Sequence, residues 1–398
     1  MKLIYLDNAA TTAVDKTVIT AMEPYFDNDY GNPSEWHSSG RMAKIAVEES
    51  RNKIAKFLGS NPDEIVFTSC ATESINLSHK GLVEAVSSDF KPGSKPNVVV
   101  TPIEHKAVLE TCRHMEEKGE ITVTYLPIDK YGLVNPEDIV IAIKPDTILV
   151  SVMYVNNEIG TVEPVAKIGD TIRKINKSGR EHRIFFHTDA TQAIQYLNCR
   201  VNFLGIDFLS FTGHKIYAPK GIGVLYVRQS TPLIRQSDGG DQERGLRAGT
   251  EDVPYIVGLG RAVEIAKRTR LSVLPKISRL RKRLMKGLLA IPGVKLTGHP
   301  VKRAPHIASF TVSGAEGEAM VLLLSDMGII ASSGSACTSA RLTASHVLTA
   351  IGVSAETSHG SLRFSLGKET TESEIDEVIK KLPKVITKLR DMSPLTKL

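Results

Sequence analysis

The chain has 398 residues, 41% of them hydrophobic and 24% charged. That length exceeds the ~250–300 residues at which one hydrophobic core stops growing, so two domains are expected, and the composition excludes a disordered tail, a collagen-like rod and a coiled coil. The 50 Lys and Arg against 44 Asp and Glu leave a net charge of +6, too thin and dispersed for a nucleic-acid stripe, and no apolar run reaches the ~18–20 residues of a membrane helix, so neither nucleic acid nor membrane is an expected partner.

The first residues, MKLIYLDNAATT, reach Asp7 before an apolar signal region forms, and a cytoplasmic protein is expected. From 41 to 58, Met42, Ile45, Ala46, Ile54 and Phe57 predict one face of a helix that Gly59 stops. Apolar β-branched runs predict strands at 64–68, 97–101, 122–126, 147–154, 183–188, 208–212 and 223–227, alternating with helical-period segments. This is the pattern of an α/β fold, a mostly parallel central sheet with helices on both faces. Past a seam near Gly258 and Gly260 the texture changes to longer charged helices and short strands at 306–312 and 362–366, a smaller α+β domain. The basic run Arg279, Arg281, Lys282, Arg283 and Lys286 overlies Ile277, Leu280, Leu284 and Leu288 at helical spacing, a solvated helix face. Thr371 and Glu374 predict a capping box for a closing helix that Pro383 should kink. The expected division is a large α/β domain over 14–258 and a small α+β domain over 1–13 and 259–398, the latter carrying a mobile loop at about 331–345.

Three segments carry chemistry. TSCATES, Thr68 to Ser74, runs a buried strand into a helix start with small and hydroxyl residues, where free amides and the helix dipole favour a phosphate. HTDATQ sets Asp189 at the carboxyl edge of the sheet, the usual ligand edge of open α/β folds. FTGHKIYAPKGIG places Lys215 directly after a strand in a glycine- and proline-constrained loop. Taken singly, these read as caps and a turn lysine; together they match what pyridoxal phosphate requires, a carboxylate for the ring nitrogen, an amine for the Schiff base and a helix start for the phosphate.

The four cysteines are scattered, with no CxxC pair, which suits neither a disulfide scaffold nor a metal site, and no metal is expected. Cys337, in the small and polar ASSGSACTSA, reads as an exposed, mobile thiol, while Cys70, Cys112 and Cys199 read as structural, Cys70 near the cofactor. Arg363 in SLRFSLG alternates with apolar residues on a predicted strand, and its fork suits either a substrate carboxylate or a salt bridge.

YLDNAATT, GNPSEWH, TSCATES, EHKAV, VNNEIG, HTDATQ, GHKIYAPKG, GGDQERGLRAGT, SSGSACTSA and LRFSLG stand in one order along the chain. On these motifs the chain resembles, almost end to end, the cysteine desulfurases typified by NifS and IscS, fold-type I pyridoxal-phosphate enzymes, and within them the long-loop, IscS-like branch. The resemblance implies that Lys215 holds the cofactor and later moves the Cα proton, that His105 stacks over the ring and assists proton transfer, and that Asp189 pairs with the ring nitrogen and Gln192 with the ring hydroxyl. Ala71, Thr72, Thr212 and His214 would bind the phosphate, and Thr250 the phosphate of the neighbouring subunit in a homodimer. Asn157 and Arg363 would hold the substrate carboxylate, and Cys337 would take the sulfur as a persulfide. L-cysteine would become L-alanine, with sulfur passed to an iron–sulfur scaffold or another acceptor, tRNA and cofactor thiolation included. The alternatives on the same fold are selenocysteine lyase or another carbon–sulfur lyase; a non-catalytic docking subunit is disfavoured by intact Lys215, His105 and Cys337. Cys70 and Ala218 stand where the family commonly has glycine, and Thr212 where serine is frequent.

Overall fold

The computed structural model describes residues 3–334 and 344–392; Cys337 and most of the predicted loop at 331–345 lie outside the described residues. Twelve strands are present among the described residues: β1 (Ile4–Tyr5), β2 (Ile65–Thr68), β3 (Asn97–Val100), β4 (Thr122–Tyr125), β5 (Thr147–Ser151), β6 (Phe185–Asp189), β7 (Phe208–Thr212), β8 (Gly223–Val227), β9 (Val294–Leu296), β10 (Ile307–Val312), β11 (Ile329–Ile330) and β12 (Ser361–Ser365).

Seven of them form one sheet in the order β2-β8-β7-β6-β5-β3-β4. Only β8 runs against its neighbours, so the sheet is mostly parallel, as the alternation of strand and helix patterns predicts. All its strands but the edge strand β4 bury both faces. In β8, Val224 and Tyr226 enter the core on one side and Leu225 and Val227 the core on the other. The pairing register brings Thr68, Gly223 and Thr212 side by side at the edge where β2 and β7 end.

Two differences from expectation have a side-chain cause. The strand begins at Phe185 rather than 183 because Arg183 turns away to pair with Asp207 at 2.7 Å, and Asp189 becomes the last strand residue instead of following the strand. The helix Ser38–Leu58 ends as expected on left-handed Gly59, but Met42 and Ile45 are exposed. Ala46, Ile54 and Phe57 are buried as predicted, while the middle of the buried stripe is made of small residues, Ala43, Ala46, Val47 and Ser50, beside the helix Val253–Leu289; a Cβ on Gly260 would meet Ser50 at 2.9 Å.

Gly258 and Gly260 mark no linker, for both lie inside that 37-residue helix. Its first half packs Ile256, Leu259 and Val263 into the core of the large sheet, and its second half packs Ile277, Leu280, Leu284 and Leu288 into another core. That second core is built on the antiparallel sheet β12-β10-β9 and the helix Glu372–Met392, which supplies Ile375, Val378 and Leu382. The capping box is formed: the Thr371 hydroxyl accepts from the Glu374 amide at 3.3 Å and the Glu374 carboxylate from the Thr371 amide at 3.0 Å. The helix continues through Pro383 to Met392. The amino terminus joins this part of the molecule, β1 pairing in parallel with β11.

Candidate active site

The strand ends converge on one cavity of about 320 Å³. At the end of β2 the chain turns through Ser69 and Cys70 into the helix Ala71–Val86, whose N-cap, Cys70, makes no side-chain cap bond. The first-turn amides are therefore left for a ligand, and Ala71 and Thr72 line the cavity. Thr68 and Ser74 hydroxyls, 2.7 Å apart and buried, tie the helix to its strand. Gly223 is required beside this turn: a Cβ there would lie 2.6 Å from the Cys70 backbone.

From the end of β7, Thr212 donates its hydroxyl to the Ile222 carbonyl at 3.1 Å, and a short turn, Gly213–Lys215, brings the lysine into the cavity. The Lys215 ammonium donates to the carbonyls of Ala9, at 2.7 Å, and Ala10. His214 sits beside it with Nδ1 3.2 Å from the Thr11 hydroxyl. Burial, with Lys215 and Lys220 nearby, pushes its imidazole down to about 4, so it is neutral.

His105 is the N-cap of the helix Lys106–Glu117. Its Nδ1 accepts from the Ala107 amide at 3.1 Å, which leaves the proton of the neutral ring on Nε2. Burial lowers its pKa, against the opposing pull of Asp189. Asp189 is buried and accepts from the Thr191 amide at 2.9 Å. Gln192 donates to the Ala9 carbonyl at 2.9 Å and accepts from His306 at 3.1 Å.

Opposite, the VNNEIG turn is closed by Asn156, whose side-chain oxygen accepts from the amides of Glu158 and Ile159, both at 2.9 Å. This presents Asn157 and Glu158 to the cavity. Arg363, only 5% exposed, spends its two terminal nitrogens on the Asn157 carbonyl at 2.8 Å and the Asp7 carboxylate at 2.9 Å; its buried Nε has no partner among the described residues.

Ala71, Thr72, His105, Asn157, Asp189, Gln192, Thr212, His214, Lys215 and Arg363 thus meet in one place. Thr250 does not join them; it is exposed and outside this cavity. Cys70 lines the cavity, whereas Cys112 and Cys199 are buried with their thiols pushed up to about 12 by burial. Asp7 and Glu158 went unassigned in the sequence. Asp7 lies 356 positions from the arginine it pairs with, beyond any local pattern.

The donor set fits pyridoxal phosphate. An uncapped helix start opens onto one part of the cavity, a buried carboxylate onto another, and a lysine amine reaches into the same space.

The sequence profile of the family described as Aminotransferase class-V matches residues 4–378. "Cysteine desulfurase IscS" of Methanosarcina thermophila is 46% identical over 395 residues, covering 99% of this chain and 95% of that protein. Among solved structures, one titled "NIFS-LIKE PROTEIN" superposes with a TM-score of 0.87 at 38% identity, over 97% of this chain and 99% of its own. Another, "SspA in complex with cysteine", gives a TM-score of 0.79 at 36% identity, over 92% and 100%.

Proposed function

The chain belongs to the class-V aminotransferase family and, within it, to the pyridoxal-phosphate-dependent cysteine desulfurases, and from that premise we propose how its own residues perform the conversion of L-cysteine to L-alanine. The observation that carries the proposal is the meeting of Lys215, Asp189 and an uncapped helix start in one cavity. When bound, pyridoxal phosphate supplies an aldehyde for amines and a sink for the electrons of the Cα–H bond.

Ala71 and Thr72 hold the phosphate from the helix start, and Thr212 and His214 hold it from the end of β7. Asp189 would keep the ring nitrogen protonated, Gln192 would meet the ring hydroxyl and His105 would cover the ring, all three lining the cavity. Lys215 would be the amine that anchors the cofactor, and its ε-amine, held by the carbonyls of Ala9 and Ala10, would be the group that moves the Cα proton of the substrate. Arg363 and Asn157, both on the cavity wall, receive the substrate carboxylate. His105, neutral and with its proton on Nε2, assists proton transfer. The Cys337 thiolate attacks the substrate sulfur, the carbon–sulfur bond breaks, and the enzyme keeps the sulfur as a persulfide while L-alanine leaves.

The further assignments belong to the same reading. Sulfur passes from Cys337 to an iron–sulfur scaffold or another acceptor protein. The active unit is a homodimer in which Thr250, exposed and outside its own cavity, serves the partner's phosphate site. The molecule divides into 14–258 and 1–13 with 259–398, which the helix Val253–Leu289 bridges. None of the described helices is long and apolar enough to cross a membrane, and a persulfide-forming thiol calls for a reducing compartment such as the cytoplasm.

The test is the visible spectrum of the purified protein, then L-cysteine addition with alanine and sulfide quantified against Cys337→Ser. A cofactor band, alanine formation and loss of both products in the variant are expected. Undiminished alanine release by Cys337→Ser in the presence of thiol would remove Cys337 from its role.

A further inference from the structure

The segment Gln242–Gly245 contains two successive non-glycine residues in the left-handed region, Glu243 (φ 49°) and Arg244 (φ 58°). Such a conformation persists only where surrounding contacts enforce it. Here they are dense. β2 is an edge strand of the large sheet, and its outward groups are met by side chains in place of another strand: the Glu243 carboxylate accepts from the Phe67 amide at 2.7 Å, and Arg51 and Arg244 donate to the Ile65 carbonyl at 2.7 and 2.6 Å. Arg51 also grips both Glu243 oxygens, at 2.9 and 2.7 Å, in a buried pair.

The consequence lies a few residues on. The strained turn delivers Arg247 to Glu73, Nε to Oε1 at 2.9 Å. Glu73 stands in the first turn of the helix Ala71–Val86, and its other oxygen accepts from the Ser69 amide at 2.6 Å. Burial alone would raise the Glu73 carboxyl, but Arg247 and the Ser69 amide outweigh it and hold the group below its ordinary range. The turn that must receive a phosphate therefore carries a fixed anion of its own, which the arginine neutralises.

We propose that Arg247 is a positioning residue for the phosphate cup: by pairing with Glu73 and holding its carboxylate against the Ser69 amide, it keeps that charge from opposing a phosphate at the amides of Ala71 and Thr72. The inference rests on the reading of the cavity as a pyridoxal-phosphate site. It also assigns a task to the left-handed pair at Glu243 and Arg244, which hold Arg247 in reach by fastening the segment to β2.

The experiment strips the cofactor from the full chain and follows rebinding by absorbance with two probes, pyridoxal phosphate and pyridoxal, which lacks the phosphate. Arg247→Gln should weaken pyridoxal phosphate about tenfold, less at high salt, and pyridoxal by no more than about twofold. The double variant Glu73→Gln/Arg247→Gln, which removes the opposing charge as well, should return pyridoxal phosphate to within about threefold of the parent. Equal losses for the two probes, an unchanged affinity in Arg247→Gln, or no recovery in the double variant would overturn the inference while leaving the cofactor assignment intact. A parent protein that binds neither probe would overturn that assignment and the inference with it.

Discussion

Gly223 begins β8 with no room for a side chain, since a methyl group would press on the backbone of Cys70 rather than on a movable side chain. Gly223→Ala should cost about 1–3 kcal/mol of stability and displace the helix start, lowering cofactor affinity; urea unfolding and cofactor titration check both. Two buried acids make a second prediction. Burial raises the carboxyls of Glu104 and Glu163 to about 8, Glu104 further raised by Asp189 and restrained by its bonds from Thr101 and Met153. The folded chain thus keeps protons that the unfolded chain has released, so their contribution to stability is present below the ordinary carboxyl range and is lost as pH rises through about 8. Glu163→Gln keeps an oxygen for the Val134 amide and removes the ionisable group. Its melting temperature should fall less than the parent's between about pH 5 and about pH 8.5, and parallel falls would refute the assignment. At this scale the sequence was legible where candidates coincide: Lys215, Asp189 and the TSCATES turn are each ambiguous alone, and their shared position at strand ends is what makes them readable together. Asp7, Arg247 and Glu73 were not, because each acquires its meaning from a partner far along the chain, with 174 positions between Glu73 and Arg247.

Elements were read well where both faces are buried. β7 and β8 begin and end at the predicted residues, because a run of β-branched and aromatic residues bounded by glycine leaves little choice of register. The run at 147–154 is three residues too long: Val152 and Tyr154 still donate to the carbonyls of His187 and Asp189, yet the regular ladder stops at Ser151. Met42 and Ile45 misled for a different reason: in the first half of their helix close contact selects the small Ala43, Ala46 and Val47 for the buried face, and large residues, Ile54, Phe57 and Leu58, fill it only in the second half. The capping box of the helix Glu372–Met392 was legible from Thr371 and Glu374 alone, and Thr371→Ala should cost about 1 kcal/mol, read as a shift in the urea midpoint.

For the whole molecule, the stretch from 26 to 45 leaves Phe26, Tyr30, Trp36, Met42 and Ile45 exposed, Trp36 by 89%. Apolar surface of that kind, on the first turns of the helix Ser38–Leu58 and the segment leading into it, is what the proposed homodimer would cover. Trp36→Glu combined with Met42→Glu should raise the dimer dissociation constant at least about tenfold in sedimentation, and an unchanged constant would place the interface elsewhere.

The site also has an order in time. The first ten residues supply the carbonyls that hold Lys215 and the carboxylate that holds Arg363, yet β1 finds its partner only at Ile329–Ile330, and Asp7 only at Ser365 and Arg363. On a ribosome, Asp7 waits for Arg363, 356 positions further on, to emerge. A nascent chain halted in the large sheet would own the phosphate cup and the lysine but not the walls that aim them, so the enzyme gains its chemistry in a single late step of synthesis rather than by degrees.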